Sequence, residues 1–120
     1  RELSNNAYDK FSGGEKALSI YVPLLAALYA KYDSAREDAP KVIAMDEAFA
    51  GVDENNIENM FGLIQSLGFN FIMNSQSLWG DYRTVPSLVI YELLREKNSS
   101  TVLKVKYFWT GKERRMVGIA

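Results

Sequence analysis

The chain has 120 residues, of which 48% are hydrophobic and 24% charged, so it can form a folded core. Its net charge of −1 excludes a uniformly basic nucleic-acid binder but leaves room for a local basic patch. It has no cysteine and no histidine, which excludes disulfides, thiolate zinc sites, iron–sulfur clusters and every Ser-His-Asp triad. Any catalysis must use carboxylates, lysines, hydroxyls or backbone groups.

Neither a signal peptide nor a transmembrane span is visible. The longest apolar run, residues 17–30, is interrupted by Ser19 and Pro23 and is too short to cross a bilayer. The chain begins with Arg1 instead of methionine. We therefore expect a single-domain piece of a longer, cytoplasmic protein.

A glycine-rich segment leads into the first predicted helix. Apolar residues then recur every three or four positions and predict a helix over residues 12–32. Pro23 lies inside this pattern, which predicts either a kink or a helix start nearby. The charged residues 31–41 that follow predict a connecting loop.

The middle of the chain predicts a strand, a helix and a second strand. Val42–Met45 is a continuous apolar run, typical of a strand buried on both faces of a parallel sheet. Asp53 is the expected N-cap of a helix over residues 53–67, and residues 69–73 form the next buried strand. Such a βαβ unit places its two strands parallel.

The C-terminal part predicts an antiparallel hairpin over residues 88–109. Leu88–Leu94 is one strand, residues 97–100 a turn, and residues 101–109 alternate. Lys104 and Lys106 fall on one side of the second strand, and the other side carries Leu103, Val105, Tyr107 and Trp109.

Charge is unevenly distributed along the chain. Residues 33–58 hold eight acids against two bases, and residues 95–115 hold seven bases against two acids. Two ordinary solvated faces explain this charge pattern, with a nucleic-acid contact as the alternative.

Adjacent carboxylates follow the first strand. Open α/β sheets bind ligands at the carboxyl ends of their strands, where Asp46 and Glu47 are expected. The two side chains should diverge and take different roles. One can hold a magnesium ion and the other can orient and deprotonate a water, as phosphoryl transfer requires. The bland alternative is a strand end with two solvated acids.

The glycine-rich segment offers a second kind of chemistry. Paired glycines let the backbone approach a ligand closely, and a helix N-terminus attracts phosphate. Ser12 adds a hydroxyl donor to Gly13 and Gly14. The alternative is an N-cap serine followed by a glycine turn.

Taken together, these motifs resemble those of ABC-type ATPases. Phe11 to Lys16 is similar to the signature motif, Val42 to Glu47 to the Walker B strand, and Asp53 to the D-loop aspartate. The resemblance implies an α/β fold, the C-terminal lobe of a P-loop ATPase head, with a parallel βαβ core closed by an antiparallel hairpin. It also implies ATP and Mg²⁺ as ligands.

The finer resemblance is to the chromosome-maintenance branch. Glu15-Lys16 resembles SMC, Rad50/SbcC and MukB-like heads, and residues 75–80, Ser-Gln-Ser-Leu-Trp-Gly, are similar to the SbcC/MukB-like Walker B family. That family includes the SMC-like subunit of Wadjet plasmid-defence systems. Most relatives carry a switch histidine here, whereas this chain has Ser75 or Gln76, so turnover is slow or depends wholly on Glu47.

A Walker A loop is absent from these residues. The only Gly-Lys pair, Gly111-Lys112, is followed by glutamate. The resemblance implies that Walker A lies on an N-terminal lobe joined through a long coiled coil, so this piece alone should be inactive. Its expected partners are that lobe, a second head in an ATP-dependent dimer, DNA and accessory subunits, with no membrane.

The resemblance assigns roles within such a dimer. Asp46 lies near magnesium and Glu47 activates water. Ser12, Gly13 and Gly14, followed by Glu15 and Lys16, reach the γ-phosphate of ATP on the opposite head, and Asp53 crosses the interface. Tyr8 and Phe11 are expected to be packing residues.

The predicted function is an SMC-like ATPase motor acting on DNA in chromosome maintenance, repair or plasmid defence. The alternatives are an ABC transporter nucleotide-binding domain and a non-hydrolysing dimerisation scaffold.

Overall fold

The computed structural model describes residues 13–119, which form two helices and five strands, the last four strands in succession. A boundary between two compact units falls between Leu78 and Trp79. Within the described residues no helix is both long enough and apolar enough to cross a membrane. Ser12, Tyr8 and Phe11 lie outside the described residues.

The first unit contains a parallel βαβ arrangement. Helix α1 is Gly13–Asp33, strand β1 is Val42–Met45, helix α2 is Glu54–Ser66 and strand β2 is Asn70–Met73. The two strands pair in parallel with Met45 opposite Met73, as predicted. Pro23 lies inside α1 and not at its start.

A chain of aromatic rings forms the core of this unit. Phe61 of α2 is 1% exposed, and its ring centre lies 5.4 Å from that of Phe49 and 5.2 Å from that of Phe71. Because register partners in a parallel pair share a face, Ile43 lies on the same side of the sheet as Phe71. Ile43 is 4% exposed. The α2 side of the sheet is therefore covered.

The opposite side of the two-stranded sheet is open, which makes the prediction that β1 is buried on both faces wrong for the described residues. Val42 is 38% exposed and Ile72 is 69% exposed on that side. Helix α2 packs on the other side, where the ring of Phe61 meets that of Phe71. A continuous apolar run signals two covered faces, and here one of them has no cover within residues 13–119.

The second unit is a three-stranded antiparallel sheet in the order β3–β4–β5. Its strands are Leu88–Leu94, Leu103–Trp109 and Arg114–Ile119, and the antiparallel pairing of the first two confirms the predicted hairpin. Strand β5 was not predicted, because its sequence has no regular alternation and a bulge interrupts its pairing with β4. Val105 and Trp109 are buried as expected, whereas Leu103 is 43% exposed at the far end of its strand.

A cation–aromatic cluster stabilises one face of this sheet. The guanidinium of Arg114 lies 3.9 Å from the centre of the Trp79 ring and pairs with Asp81 at 3.5 Å. Trp79 packs edge-on against Tyr107, whose hydroxyl donates a hydrogen bond to Glu92 at 3.2 Å. Desolvation, followed by this bond and the charge of Glu92, raises the pKa of Tyr107 above its ordinary value, while Arg114 opposes the shift.

Candidate functional site

The turn that follows β1 combines exposed carboxylates with a buried anchor. Asp46 and Glu47 are exposed, whereas the next two residues, Ala48 and Phe49, are each only 2% exposed. Glu47 and Phe49 both have left-handed backbone conformations, with φ of 49° and 58°. Since non-glycine residues rarely adopt such angles, the surrounding contacts must hold this turn in place.

Asn74, the first residue after β2, provides one set of these contacts. Its side-chain Oδ1 accepts a hydrogen bond from the backbone N–H of Glu47 at 2.8 Å. Its own N–H donates to the carbonyl of Met45 at 3.2 Å, and its carbonyl accepts from Ala48 at 3.0 Å. Asn74 therefore continues the strand pairing past the end of the sheet and fixes the backbone that carries Glu47.

Phe49 provides the second anchor. Its N–H donates to the hydroxyl of Tyr21 on α1 at 3.2 Å, and the two ring centres are 5.0 Å apart. The same ring packs edge-on against Phe61 of α2. Since Phe49 is held by both helices, the turn has little freedom to move, and the carboxylates of Asp46 and Glu47 remain on the exposed side.

Asp53 caps α2, as the sequence predicts. One carboxylate oxygen accepts from the backbone N–H of Asn56 at 2.9 Å and the other accepts from the Asn56 side chain at 2.8 Å. Both oxygens are thus engaged at the start of the helix. The role of Asp53 across a dimer interface stays a prediction.

The two candidate switch residues lie just beyond Asn74. The hydroxyl oxygen of Ser75 accepts from the N–H groups of Ser77 at 3.4 Å and Leu78 at 3.2 Å, so it shapes the loop after β2. Gln76 is exposed.

The signature residues within the described backbone form the first turn of α1; they are Gly13, Gly14, Glu15 and Lys16. Contacts between these groups and a nucleotide stay a prediction.

A comparison with protein families shows which family the chain belongs to. Residues 1–66 match the family described as SbcC/RAD50-like, Walker B motif, which is more than half of the chain. The chain belongs to this SbcC/RAD50-like family. No curated protein and no solved structure matches it.

Membership in the SbcC/RAD50-like Walker B family indicates an ATPase of the SMC-like type. The matched region includes β1, the Asp46–Glu47 turn, Asp53 and all of α2. The anchored turn described above lies within the matched region.

The residues at this turn fit the magnesium ion that such an ATPase needs. Mg²⁺ commonly takes one or two protein carboxylates and completes its shell with phosphate oxygens and water. The exposed carboxylate of Asp46 at a strand end offers a ligand of this kind. Among the side chains that the structure describes, those of residues 18–119, no group of three or more acids lies close enough to hold a metal ion.

Sequence reasoning missed Asn74 as a residue of this site. Its place was nevertheless readable, because Asn74 follows β2 directly as Asp46 follows β1. In a parallel pair in register, the residues that follow two aligned strand ends are neighbours. Tyr21 could not be found in this way, since its contact with Phe49 depends on how α1 packs.

Proposed function

We propose that this chain is the C-terminal lobe of an ATP-hydrolysing, SMC-like motor that acts on DNA. Its role in the cytoplasm would be chromosome maintenance, repair or plasmid defence of the kind carried out by Wadjet systems. One observation carries the proposal: in a chain of this Walker B family, two adjacent carboxylates, Asp46 and Glu47, stand exposed on a turn that Asn74 and Phe49 hold in place. A merely solvated strand end has no need of two left-handed residues and a buried anchor.

The two carboxylates divide the chemistry. Asp46 would hold Mg²⁺, which neutralises charge on the phosphates when bound. Glu47 would orient the attacking water and accept its proton. The hydrogen bond from the Glu47 N–H to Asn74 fixes the backbone from which this carboxylate extends. Geometry of this kind is what a positioned general base requires.

The remaining site residues would act across two heads. Ser12, with the backbone of Gly13 and Gly14 and the adjoining Glu15 and Lys16, would contact the γ-phosphate of ATP bound to the opposite head. Asp53 would lie at the interface between the heads, and Ser75 or Gln76 would take the place of a switch histidine. Hydrolysis would separate the heads, and a coiled coil would pass that motion to DNA, together with accessory subunits.

The open side of the β1–β2 sheet is an argument that an N-terminal lobe packs on it in the intact protein. Val42 and Ile72 are exposed there, although β1 has the composition of a strand covered on both sides. An N-terminal lobe that carries Walker A would bury this face and supply the phosphate-binding loop that residues 1–120 lack. ATP turnover therefore belongs to the intact protein.

A magnesium-ligand variant tests the proposal. In the intact protein, Asp46→Asn is expected to lower Mg²⁺-dependent ATP turnover at least tenfold, since a metal supplies several kcal/mol of charge stabilisation and about 1.4 kcal/mol is a factor of ten. Asp38→Asn is the matched control, because Asp38 pairs with Arg36 on an exposed loop away from the turn. Steady-state phosphate release measures both. Equal turnover in the two variants would remove Asp46 from the site.

A second variant tests the positioning role of Asn74. Asn74→Ala removes the acceptor for the Glu47 N–H and is expected to lower kcat by about tenfold to a hundredfold with little change in KM for ATP. Asn74→Asp keeps an acceptor oxygen and should restore most of the rate. Asn70→Ala, at the exposed start of the same strand, is the control. A rise in KM with kcat unchanged would contradict the positioning role and indicate a nucleotide contact instead.

A further inference from the structure

The three-stranded sheet has one face that the cation–aromatic cluster of Trp79 does not occupy. Side chains alternate along a strand, and paired residues of neighbouring strands share a face. The register puts Val89 opposite Phe108, Tyr91 opposite Lys106, and Leu93 opposite Lys104. We call this the lysine–aromatic face; its members are Val89, Tyr91, Leu93, Lys104, Lys106, Phe108 and Arg115.

This face exposes several large apolar side chains. Tyr91 is 55% exposed, Phe108 39% and Leu93 65%. Contiguous apolar exposure with polar neighbours is typical of a binding surface. The two rings lie on adjacent strands as diagonal neighbours, a separation at which aromatic side chains can act together.

The charge of the lysine–aromatic face indicates an anionic partner. Its charged members are all basic, because Glu92 lies on the other face, where it accepts the Tyr107 hydrogen bond. Arg115 pairs with Glu113 of the preceding turn. With the side chains of residues 18–119, which the structure describes, neither Lys104 nor Lys106 forms an ion pair, so their charges stay available for a polyanion.

From this arrangement we propose that the lysine–aromatic face binds single-stranded nucleic acid. Tyr91 and Phe108 stack on bases, while Lys104 and Lys106 contact the phosphates. A single strand fits better than a duplex, because the bases of a duplex are stacked on one another and show no free ring face to a sheet. The choice of DNA over RNA rests on the proposed function; the face itself is independent of ATP turnover.

Fluorescence anisotropy with the intact protein, without nucleotide, tests this proposal. The probe is a labelled thymidine homopolymer of about 20 nucleotides, somewhat longer than the roughly 4–16 that one small domain contacts. Tyr91→Leu with Phe108→Leu keeps apolar surface but removes both rings, and should weaken binding at least about tenfold. Tyr91→Phe keeps the ring and should bind like the wild type.

The lysines are tested against a charge-matched control. Lys104→Gln with Lys106→Gln should weaken binding and lower the salt slope by roughly 1.4, because each phosphate that a lysine neutralises on a single strand contributes roughly 0.7 to that slope. Lys97→Gln with Lys112→Gln removes the same charge from the turns of the same unit and should change neither quantity. Photocrosslinks from thymidine should map to residues 88–94 or 103–109.

Three results would overturn the proposal: no binding by the wild type, equal binding when both rings are removed, or a loss of duplex affinity in the two-ring variant as large as its loss of single-strand affinity. The first of these would leave an acidic protein segment as the occupant of the face. Basal ATP turnover is measured in the same preparations and should stay within about twofold in every variant, since none of these residues lies at the Walker B turn. Absent turnover with intact oligonucleotide binding would refute the proposed function alone.

Discussion

Glu47→Gln is expected to abolish ATP turnover in the intact protein while leaving ATP binding in place. A general base contributes about 10²–10⁴ in rate, and glutamine keeps the size of glutamate but cannot take a proton. The variant should therefore hold ATP without cleaving it and accumulate ATP-bound head dimers. Phosphate release measures the first effect, and size-exclusion chromatography with ATP measures the second.

Glu37→Gln is the control for this experiment, because Glu37 is an exposed carboxylate on the loop between α1 and β1. It should turn over ATP like the wild type. A scaffold that binds nucleotide only in order to dimerise would be indifferent to both substitutions. If the Glu47→Gln variant turns over ATP at the wild-type rate, another group must accept the proton. Ser75 and Gln76 are not candidates, because neither side chain is a base.

Phe61→Ala is expected to have the largest effect on stability. Phe61 is 1% exposed and packs against both Phe49, next to the Walker B turn, and Phe71 of β2. Removing a buried phenylalanine side chain typically costs about 3–5 kcal/mol, because a cavity remains where the ring was. Urea unfolding followed by circular dichroism measures the loss.

Leu24→Ala gives the comparison for that measurement. Leu24 lies on α1 in the same unit and is 47% exposed, so truncating it should change the free energy of unfolding by about 0.5 kcal/mol or less. Equal losses from the two variants would mean that the aromatic chain is not the core of this unit. The Phe61 variant should also lose ATP turnover, because Phe49 anchors the turn that carries Glu47.

The local pattern of the chain was enough to predict most of the elements. Apolar periodicity indicates α2, Asp53 indicates its start, and the alternation of residues 101–109 indicates β4, because each of these signals arises within a few neighbouring residues. Strand β5 has no such signal: its pairing depends on β4 and is interrupted by a bulge. Strand β5 therefore forms because β4 offers it an edge to pair with, and its own residues do not predict it.

The candidate site divides in the same way. Asp46 and Glu47 could be proposed from the sequence because they directly follow an apolar strand, although that pattern alone also fits two solvated acids. The support for that chemistry is harder to read, since Tyr21 and Phe49 meet only after α1 has packed. The left-handed conformation of Glu47 is a response to such long-range contacts, and nothing in the residue type itself predicts it.

The bond between Asn74 and Glu47 joins the ends of two strands that are only four residues long each. Short segments with few neighbours are the first parts of a protein to open locally, at a lower free energy than global unfolding. If Glu47 is the base, its position depends on this strand pair as well as on the two helices that hold Phe49. Destabilising this strand pair would then lower the proposed ATP turnover while both helices are still folded.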